Sequence, residues 1–372
     1  MRLLLLSRYG PLGASSRLRM YQYIPALEAA GFEITVSPLF SDSYVDSLYA
    51  TGSRPRLEIF LGYLRRLKIL LQAKQFDIVW VEKELFPYLP SMFEHILAAL
   101  KVPYVVDYDD AVFHTYDQHR LPWVQALLGE RLTPLISGAY AVTAGNSYLA
   151  DYAQRHGARR VEIIPTVVDL HRYHVLPEPD DAVLRIGWVG SASTVKYLDQ
   201  LREPLRQLAL HGDVCLVTIG APPLRSFGVA LEQHPWSANT EAALLATIHV
   251  GVMPLPDTPW ERGKCGYKLI QYMACGRPVV ASPVGINSEI VDDSVGFLAE
   301  DHDAWIAALS RLRTQPELRR SQGAAGRKKI ESLYSLQAVA PGISRLLEEA
   351  AGMPGCGRAG PQPRGARRQN AH

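Results

Sequence analysis

The chain has 372 residues, of which 48% are hydrophobic and 20% charged, and its formal net charge is +2. The length is about twice that of one compact domain, so we expect two domains, and no folded region is basic enough for a nucleic-acid-binding domain. The apolar start ends at Ser7, too early for a signal peptide, and no later apolar run is long enough to span a membrane. We expect a cytoplasmic protein, as four scattered cysteines without a CxxC pair also indicate: Cys215, Cys265, Cys275 and Cys356.

Short apolar runs alternate with helical patterns, which is typical of parallel sheets joined by crossover helices. In the first half we predict helices over residues 16–30, where Gly31 provides a left-handed C-cap, and over 90–100. The predicted strands of this half cover residues 3–6, 32–36, 77–81, 103–106, 139–143 and 161–164.

A glycine-containing loop, YGPLGASSR, follows the first predicted strand. Hydride transfer with a dinucleotide would need a GxGxxG loop here and an acidic residue at the end of the second strand. The loop has only Gly10 and Gly13, and the second strand ends in Val36-Ser37-Pro38. Neither requirement is met, so we exclude a dinucleotide site.

A basic, apolar segment at residues 54–74 predicts a helix with apolar side chains on more than one face. A core helix usually has a single apolar stripe. Two interpretations stay open. The helix contacts anionic lipid headgroups at a membrane surface, or it packs between the sheet and the C-terminal helix.

Three acidic residues follow the strand at 103–106, in the sequence VDYDDAVFH. They lie where open α/β sheets bind ligands, and their mutual repulsion would raise the pKa of one of them. We predict that Asp109, Asp110 and His114 face a sugar or an acceptor. The alternative is that Asp109 or Asp110 caps a helix and that His114 lies on the surface.

A linker is predicted at residues 174–181, HVLPEPDD, where apolar periodicity stops. The pattern then restarts, with predicted strands at 184–189, 214–219, 248–253 and 278–281 and helices at 197–210, 267–274 and 336–351. We therefore predict an α/β protein with two Rossmann-like domains whose parallel sheets face each other across a cleft. The domains cover 1–176 and 177–335. The helix at 336–351 belongs either to the second domain or, by returning, to the first, and the Gly-, Pro- and Arg-rich tail 352–372 is predicted to be disordered.

A turn of small residues follows the strand at 184–189, in the sequence VGSAST. Gly190 allows close backbone approach, and Ser191, Ser193 and Thr194 are suited to cap a helix or to bind phosphate oxygens. Ordinary strand–helix turns use the same residues, so the pattern alone leaves both uses open.

A Pro-rich loop after the strand at 248–253 brings Glu261, Lys264 and Gly266 to the start of a predicted helix. The amide groups and partial positive charge of a helix N-terminus favour an anion, whereas lysines there are unfavourable without one. Lys264 precedes the helix and Lys268 lies in its first turn. We predict a pyrophosphate site, the alternative being a solvated loop.

The segment GKCGYKLIQYMACGRPVVA, residues 263–281, resembles the donor-site segment of retaining glycosyltransferases of family 4, which have the GT-B fold. Most members have two glutamates separated by seven residues before the MACG sequence. Here Gly263 and Gln271 occupy those places, and Glu261 lies two residues before the first. The sequence is similar to a sub-branch of the family that has Lys and Gln at these positions.

The resemblance implies transfer of a sugar, with retention, from a nucleoside diphosphate sugar to a hydroxyl of a glycan or lipid-linked acceptor, in cell-envelope polysaccharide or glycoconjugate synthesis. No DxD-like metal dyad lies at a donor position, so we predict neither a metal nor a cofactor beside the donor. The implied diphosphate ligands are Lys264, Lys268 and the turn at 190–194, with added charge from Lys196. The remaining implied contacts are Gly13 with the phosphates, Gln271 with the ribose, and Glu261 and His114 with the sugar ring.

Two other functions remain open. One is a sugar-nucleotide epimerase of the same fold. The other is a non-catalytic sugar-nucleotide-binding protein, which the absence of a glutamate at Gly263 favours.

Overall fold

The computed structural model describes residues 1–52, 54–179 and 182–352. The predicted tail at 352–372, including Cys356, lies outside this range except for Gly352. The last two residues of the predicted linker, Asp180 and Asp181, lie outside it as well.

The first half of the chain forms a six-stranded parallel sheet. Its strands are β1 (Arg2–Leu6), β2 (Glu33–Val36), β3 (Ile78–Glu82), β4 (Tyr104–Tyr108), β5 (Ala141–Ala144) and β6 (Val161–Ile163). They lie in the order β2-β1-β3-β4-β5-β6. Strands β1, β3, β4 and β5 are buried almost throughout, as expected for a parallel sheet covered on both faces.

The second half forms another six-stranded parallel sheet. Its strands are β7 (Leu184–Val189), β8 (Val214–Ile219), β9 (Ala230–His234), β10 (Val250–Met253), β11 (Val279–Ala281) and β12 (Gly296–Leu298), in the order β12-β11-β10-β7-β8-β9. Strands β9 and β12 were not predicted, because β9 has the partly polar sequence ALEQH and β12 has three residues. The predicted strands agree with the observed ones within two residues at each end.

Helices surround both sheets. Those of the first half are α1 (Ala14–Arg19), α2 (Ile24–Ala29), α3 (Asp42–Thr51), α4 (Arg56–Leu71), α5 (Ile96–Ala99), α6 (His114–Asp117), α7 (Pro122–Leu128), α8 (Thr133–Gly138) and α9 (Ser147–Arg155). The others are α10 (Arg202–Ala209), α11 (Glu241–Leu245), α12 (Pro259–Arg262), α13 (Tyr267–Ala274), α14 (Asn287–Ile290), α15 (His302–Thr314), α16 (Pro316–Leu333) and α17 (Leu336–Gly352). Short 3₁₀ helices cover Tyr21–Tyr23, Ala73–Gln75, Ser91–His95 and Val195–Leu201.

Three predicted helices were wrong in extent. Residues 16–30 form α1, a 3₁₀ turn and α2, while 90–100 and 197–210 each begin as a 3₁₀ helix and continue as a short α-helix. Pro25 and Pro204 lie in the first turns of α2 and α10. A proline without an N–H is tolerated there but does not continue a helix from the preceding turn, so the two segments separate.

Helix α17 returns to the first sheet. Its buried residues Ile343 and Leu347 belong to one core with Leu3 and Trp80, and Arg160 forms an ion pair of 2.7 Å with Glu349. The chain therefore crosses between the two sheets twice, once before β7 and once before α17.

Candidate active site

Two adjoining cavities of about 820 and 830 Å³ lie at the carboxyl ends of the parallel strands. We call them the cleft cavity (820 Å³) and the side cavity (830 Å³), and they share Asp110, Thr194 and Lys264. The cleft cavity is lined from both sheets: Leu12, Ser15 and Asp109 come from the first half, and the second half supplies the turn after β7 and the start of α13.

Lysine side chains and a helix N-terminus form one wall of the cleft cavity. Lys264, Gly266 and Lys268 all line it. Gly266 has φ of +64°, and a β-carbon there would lie 2.4 Å from Ile290, so this reversal into α13 requires glycine. Burial and the neighbouring Lys264 together lower the pKa of Lys268 to about 8. Both effects are relieved when an anion binds beside these ammonium groups.

The turn after β7 continues this wall through Gly190, Ser191 and Thr194. A β-carbon on Gly190 would lie 2.4 Å from the Trp188 ring. The Thr194 hydroxyl accepts a hydrogen bond from the Ser191 amide at 3.1 Å and caps no helix through its side chain. Of the two uses left open by the sequence, capping of the following helix is not observed at Thr194, whose hydroxyl closes the turn itself.

The first half of the chain holds the loop that carries Lys264. The Asn146 amide donates to the carbonyl oxygens of Arg262 (3.3 Å) and Lys264 (2.9 Å), and the Cys265 thiol donates to the carbonyl of Asp109 at 3.0 Å. The lysine wall and the acidic loop after β4 are thus in direct contact across the cleft.

A chain of hydrogen bonds lies elsewhere on the cleft cavity. The Gln271 amide donates to the Tyr173 hydroxyl (2.9 Å), which donates to Glu241 (3.1 Å), and the Trp236 indole N–H donates to the other Glu241 oxygen (2.6 Å). Gln271, Glu241 and Trp236 line the cavity, and Tyr173 lies behind them. The sequence offered no signal for Glu241 or Trp236, because no recognisable motif surrounds them.

Glu261 lines the side cavity with Lys196, Tyr197 and Thr258. Its carboxylate accepts hydrogen bonds from the hydroxyl groups of Tyr197 and Thr258. A β-carbon on Gly263 would lie 2.5 Å from that of Ala111. The position where the family usually has its first glutamate therefore has no room for a side chain.

The acidic loop after β4 is neutralised by a lysine that the sequence analysis missed. The Lys83 ammonium lies 2.8 Å from Asp109 and 3.3 Å from Asp110, and it donates to Ser15. Burial raises the pKa of Asp109, but Lys83 and Arg19 outweigh it, so that pKa lies below its usual value. The expectation of a raised pKa from acidic repulsion was wrong for Asp109.

Other predicted residues lie apart from the cavities. The His114 ring contacts Asp117 and Tyr148, each at 2.8 Å, and lines neither cavity. Gly13 packs against Tyr9, where a β-carbon would come within 2.4 Å, while its neighbours Leu12 and Ala14 line the cleft cavity. The catalytic role of His114 stays a prediction that this geometry does not support.

Arg17 and Arg19 lie in α1, directly after the loop that follows β1, and have different surroundings. Arg17 lines the cleft cavity, with its guanidinium 4.9 Å from the Trp236 ring centroid. Arg19 is buried and forms two hydrogen bonds with Asp107, at 2.6 and 2.9 Å. Only Arg17 is therefore placed to meet a ligand.

Comparisons with known proteins agree with this architecture. Residues 17–167 match the family model "Glycosyl transferase 4-like domain", and residues 184–315 match "Glycosyl transferases group 1". The chain is 28% identical over 190 residues to D-inositol 3-phosphate glycosyltransferase of Salinispora tropica, covering 41% of this chain and 39% of the relative. It is 26% identical over 209 residues to GDP-mannose-dependent alpha-(1-6)-phosphatidylinositol dimannoside mannosyltransferase of Mycobacterium tuberculosis, covering 51% and 53%. The matches thus span about half or less of these relatives.

Solved structures share the fold over almost the whole chain. Anabaena HepE in complex with UDP-glucose superposes with a TM-score of 0.68 at 14% identity, covering 94% of this chain and all of that one. Sucrose-phosphate synthase from Thermosynechococcus elongatus gives 0.66 at 16% identity, covering 94% and 98%. The predicted α/β fold with two facing Rossmann-like domains is confirmed, and with the two domain models it is that of a GT-B glycosyltransferase.

Proposed function

We propose that this chain, with the fold and domain models of a GT-B glycosyltransferase, transfers a sugar from a nucleoside diphosphate sugar to an acceptor hydroxyl. The observation that carries the proposal is the lysine wall of the cleft cavity, where Lys264, Lys268 and the start of α13 line one space. Opposite them lie the loops that follow β1 and β4.

The proposed chemistry depends on charge at the leaving group. As the bond from the anomeric carbon to the phosphate oxygen breaks, the diphosphate keeps the electron pair and gains negative charge. Lys264, Lys268 and the amides of the first turn of α13 stabilise that charge. The acceptor oxygen forms the new bond to the anomeric carbon, and its proton passes to the departing diphosphate. We propose that this transfer requires no metal, because the lysines supply the positive charge.

The other side chains take roles by their position. Asp110 and Glu261 line the side cavity next to Lys264, where the sugar and the acceptor meet the diphosphate. Gln271 lines the cleft cavity and is proposed to contact the ribose. Retention at the anomeric carbon and transfer of a hexose rest on the family resemblance. The acceptor we propose is a glycan or lipid-linked molecule in envelope polysaccharide or glycoconjugate synthesis.

Helix α4 supports a contact with the membrane surface. Leu57 and Leu71 are each 70% exposed and Phe60 is 58% exposed. The exposed residues of α4 also include Arg56, Arg65 and Lys68. The alternative was right in part: α4 packs on the core of the first sheet through Leu70, but the C-terminal helix α17 packs on α2, β3 and β4 instead, so α4 does not lie between the sheet and that helix. None of the described helices is both long and apolar enough to cross a membrane. We propose peripheral binding at the inner face of the membrane.

Co-sedimentation with vesicles tests this contact. Binding to anionic vesicles should exceed binding to neutral ones, and Phe60→Ser with Leu64→Ser should remove the difference. Equal recovery with both vesicle types contradicts the contact.

The donor is tested by a thermal-shift screen with UDP-, GDP-, ADP- and CMP-sugars, in which the cognate donor should raise the melting temperature most. The stabilising donor is then incubated with and without acceptors. Transfer to an acceptor supports the proposal. A changed sugar nucleotide without acceptor identifies an epimerase, and binding without turnover identifies a non-catalytic protein.

A further inference from the structure

The donor and acceptor atoms around Tyr173 fix the direction of the hydrogen-bond chain at the cleft cavity. An indole N–H only donates and an ionised carboxylate only accepts, so Trp236 and Tyr173 donate to Glu241. The single Tyr173 proton is then used, and its oxygen accepts from the Gln271 amide. The reverse orientation of that amide would place its carbonyl against an oxygen without a free proton.

Glu241 keeps unused acceptor capacity in a place where a ligand reaches it. The residue is 7% exposed and lines the cleft cavity. A carboxylate accepts about four hydrogen bonds, and two come from Trp236 and Tyr173. Within the described ranges 1–52, 54–179 and 182–352, no Lys, Arg or His nitrogen lies within 4.0 Å of this carboxylate. Its charge is therefore available to hydrogen-bond donors that a ligand brings.

We propose that Glu241 binds the vicinal hydroxyl groups of the donor ribose, an inference that rests on the proposed function. The family usually has a glutamate at the position of Gln271. Here the carboxylate is that of Glu241, at the other end of the series of hydrogen bonds through Tyr173. A ribose diol offers two O–H donors, which match the free lone pairs of Glu241. A diphosphate would be repelled there, and the lysine wall provides its site. Glu241 is thus the specificity-determining residue for the sugar of the nucleoside.

The donor and acceptor roles along this series of hydrogen bonds can be reversed. The proposal can therefore be tested by exchanging the residue types at positions 241 and 271. In the double variant Glu241→Gln with Gln271→Glu, the new amide accepts from Trp236 through its oxygen and donates to Tyr173 through its nitrogen. Tyr173 then donates to the new carboxylate. Every buried group keeps a partner, and the negative charge returns to the side of α13.

The experiment measures binding of UDP, GDP, ADP and CDP by calorimetry, and then binding of the 2′,3′-dideoxy form of the tightest ligand. The unmodified protein should prefer the ribose form by about ten- to a hundredfold, as expected for hydrogen bonds to a charged group. Glu241→Gln should reduce the preference to about threefold and leave the affinity for the dideoxy form unchanged. The exchanged double variant should restore the preference.

The control is Lys268→Ala, which should weaken binding of the ribose and dideoxy nucleotides equally and leave the preference for the ribose form intact. If Glu241→Gln still binds the nucleotide and keeps its preference for the ribose form over the dideoxy form, the role of Glu241 is overturned, while the proposed function stands. An equal loss for both forms in that variant overturns it too, because Glu241 would then act through the shape of the cavity. If none of the four nucleotides binds the unmodified protein, the proposed function itself fails.

Discussion

The two walls of the cleft use charged residues in opposite ways. In the first half, several buried charged side chains form ion pairs with one another: Arg19 with Asp107, Lys83 with Asp109, and Arg131 with Glu84 and Glu94. In the second half, Lys196 and Lys268 have no carboxylate oxygen within 4.0 Å among the residues that the structure describes, and Lys264 approaches Asp110 only at 3.9 Å. Paired charges hold the first wall in shape, whereas the unpaired ones leave the second wall free to bind an anion.

The largest effect is expected from removing a cation of the second wall. Lys264→Ala should lower sugar transfer by about a hundred- to a thousandfold, because the developing charge on the diphosphate loses a ligand. The melting temperature should stay within about 2 °C of that of the unmodified protein, since no buried pair is broken. Initial rates with the donor from the thermal-shift screen provide the measurement.

The matched control is Lys328→Ala, which removes an exposed lysine of α16 and should leave transfer unchanged. Near-normal turnover of Lys264→Ala would contradict the diphosphate assignment.

The next effect concerns the first wall, where loss of one partner should reduce stability. Asp107→Ala leaves the Arg19 guanidinium buried without its carboxylate. Removing one partner of a buried ion pair typically lowers the free energy of unfolding by about 3–5 kcal/mol. Urea unfolding monitored by circular dichroism checks this value.

Lys268→Met provides the contrast in the same assay. It removes a charge that burial already disfavours, so its stability should equal or exceed that of the unmodified protein at pH 7. If Asp107→Ala and Lys268→Met lower the free energy of unfolding equally, the charges of the two walls do not differ in their contribution to stability.

A smaller effect is expected in the pH dependence of binding. The pKa of Lys268 is about 8 in the free protein, below the ordinary value of 10.5, and a bound diphosphate favours the protonated ammonium. Binding therefore takes up a proton above pH 8, and the affinity should fall about tenfold between pH 8 and 9.5. Calorimetry in buffers of different ionisation enthalpy measures the uptake. Lys268→Arg should flatten the profile, and an equally steep profile in that variant would exclude Lys268 as its source.

The free energy of unfolding should also depend on the ionisation of Lys268, but with the opposite trend: it should rise with pH while the affinity falls. Since the folded-state pKa of Lys268 is lowered, the unfolded chain holds more protons between pH 8 and 10.5. The unmodified protein should therefore gain stability relative to Lys268→Met as the pH rises through this range.

The smallest effect is expected at His114. Its ring nitrogens are engaged by Asp117 and Tyr148 outside both cavities, so His114→Ala should keep transfer within about threefold and reduce stability by about 1 kcal/mol. Asp110→Asn, on the shared lining of both cavities, should reduce transfer more. A loss above a hundredfold in His114→Ala would restore the catalytic role predicted from the sequence.

The sequence predicted the features that depend on local pattern. The bounds of ten of the twelve described strands, the glycine turn before α13 and the placement of Lys264 and Lys268 follow from short-range signals, whereas β9 and β12 were missed. Lys83 and Glu241 could not be predicted, because their roles depend on partners that are distant in the chain, Asp109 and Tyr173. The crowding of Gly263 against Ala111 is likewise visible only when the two halves face each other.

The bonds from Asn146 to the loop that carries Lys264 have a kinetic consequence. They join the two halves of the chain at the loop that carries Lys264. In the proposed reaction, opening of the cleft for the spent nucleotide to leave would break these bonds as well as the lysine contacts. If the loop stabilises the leaving group as proposed, we expect the same contacts to slow product release, so that tighter holding of the leaving group delays the next cycle.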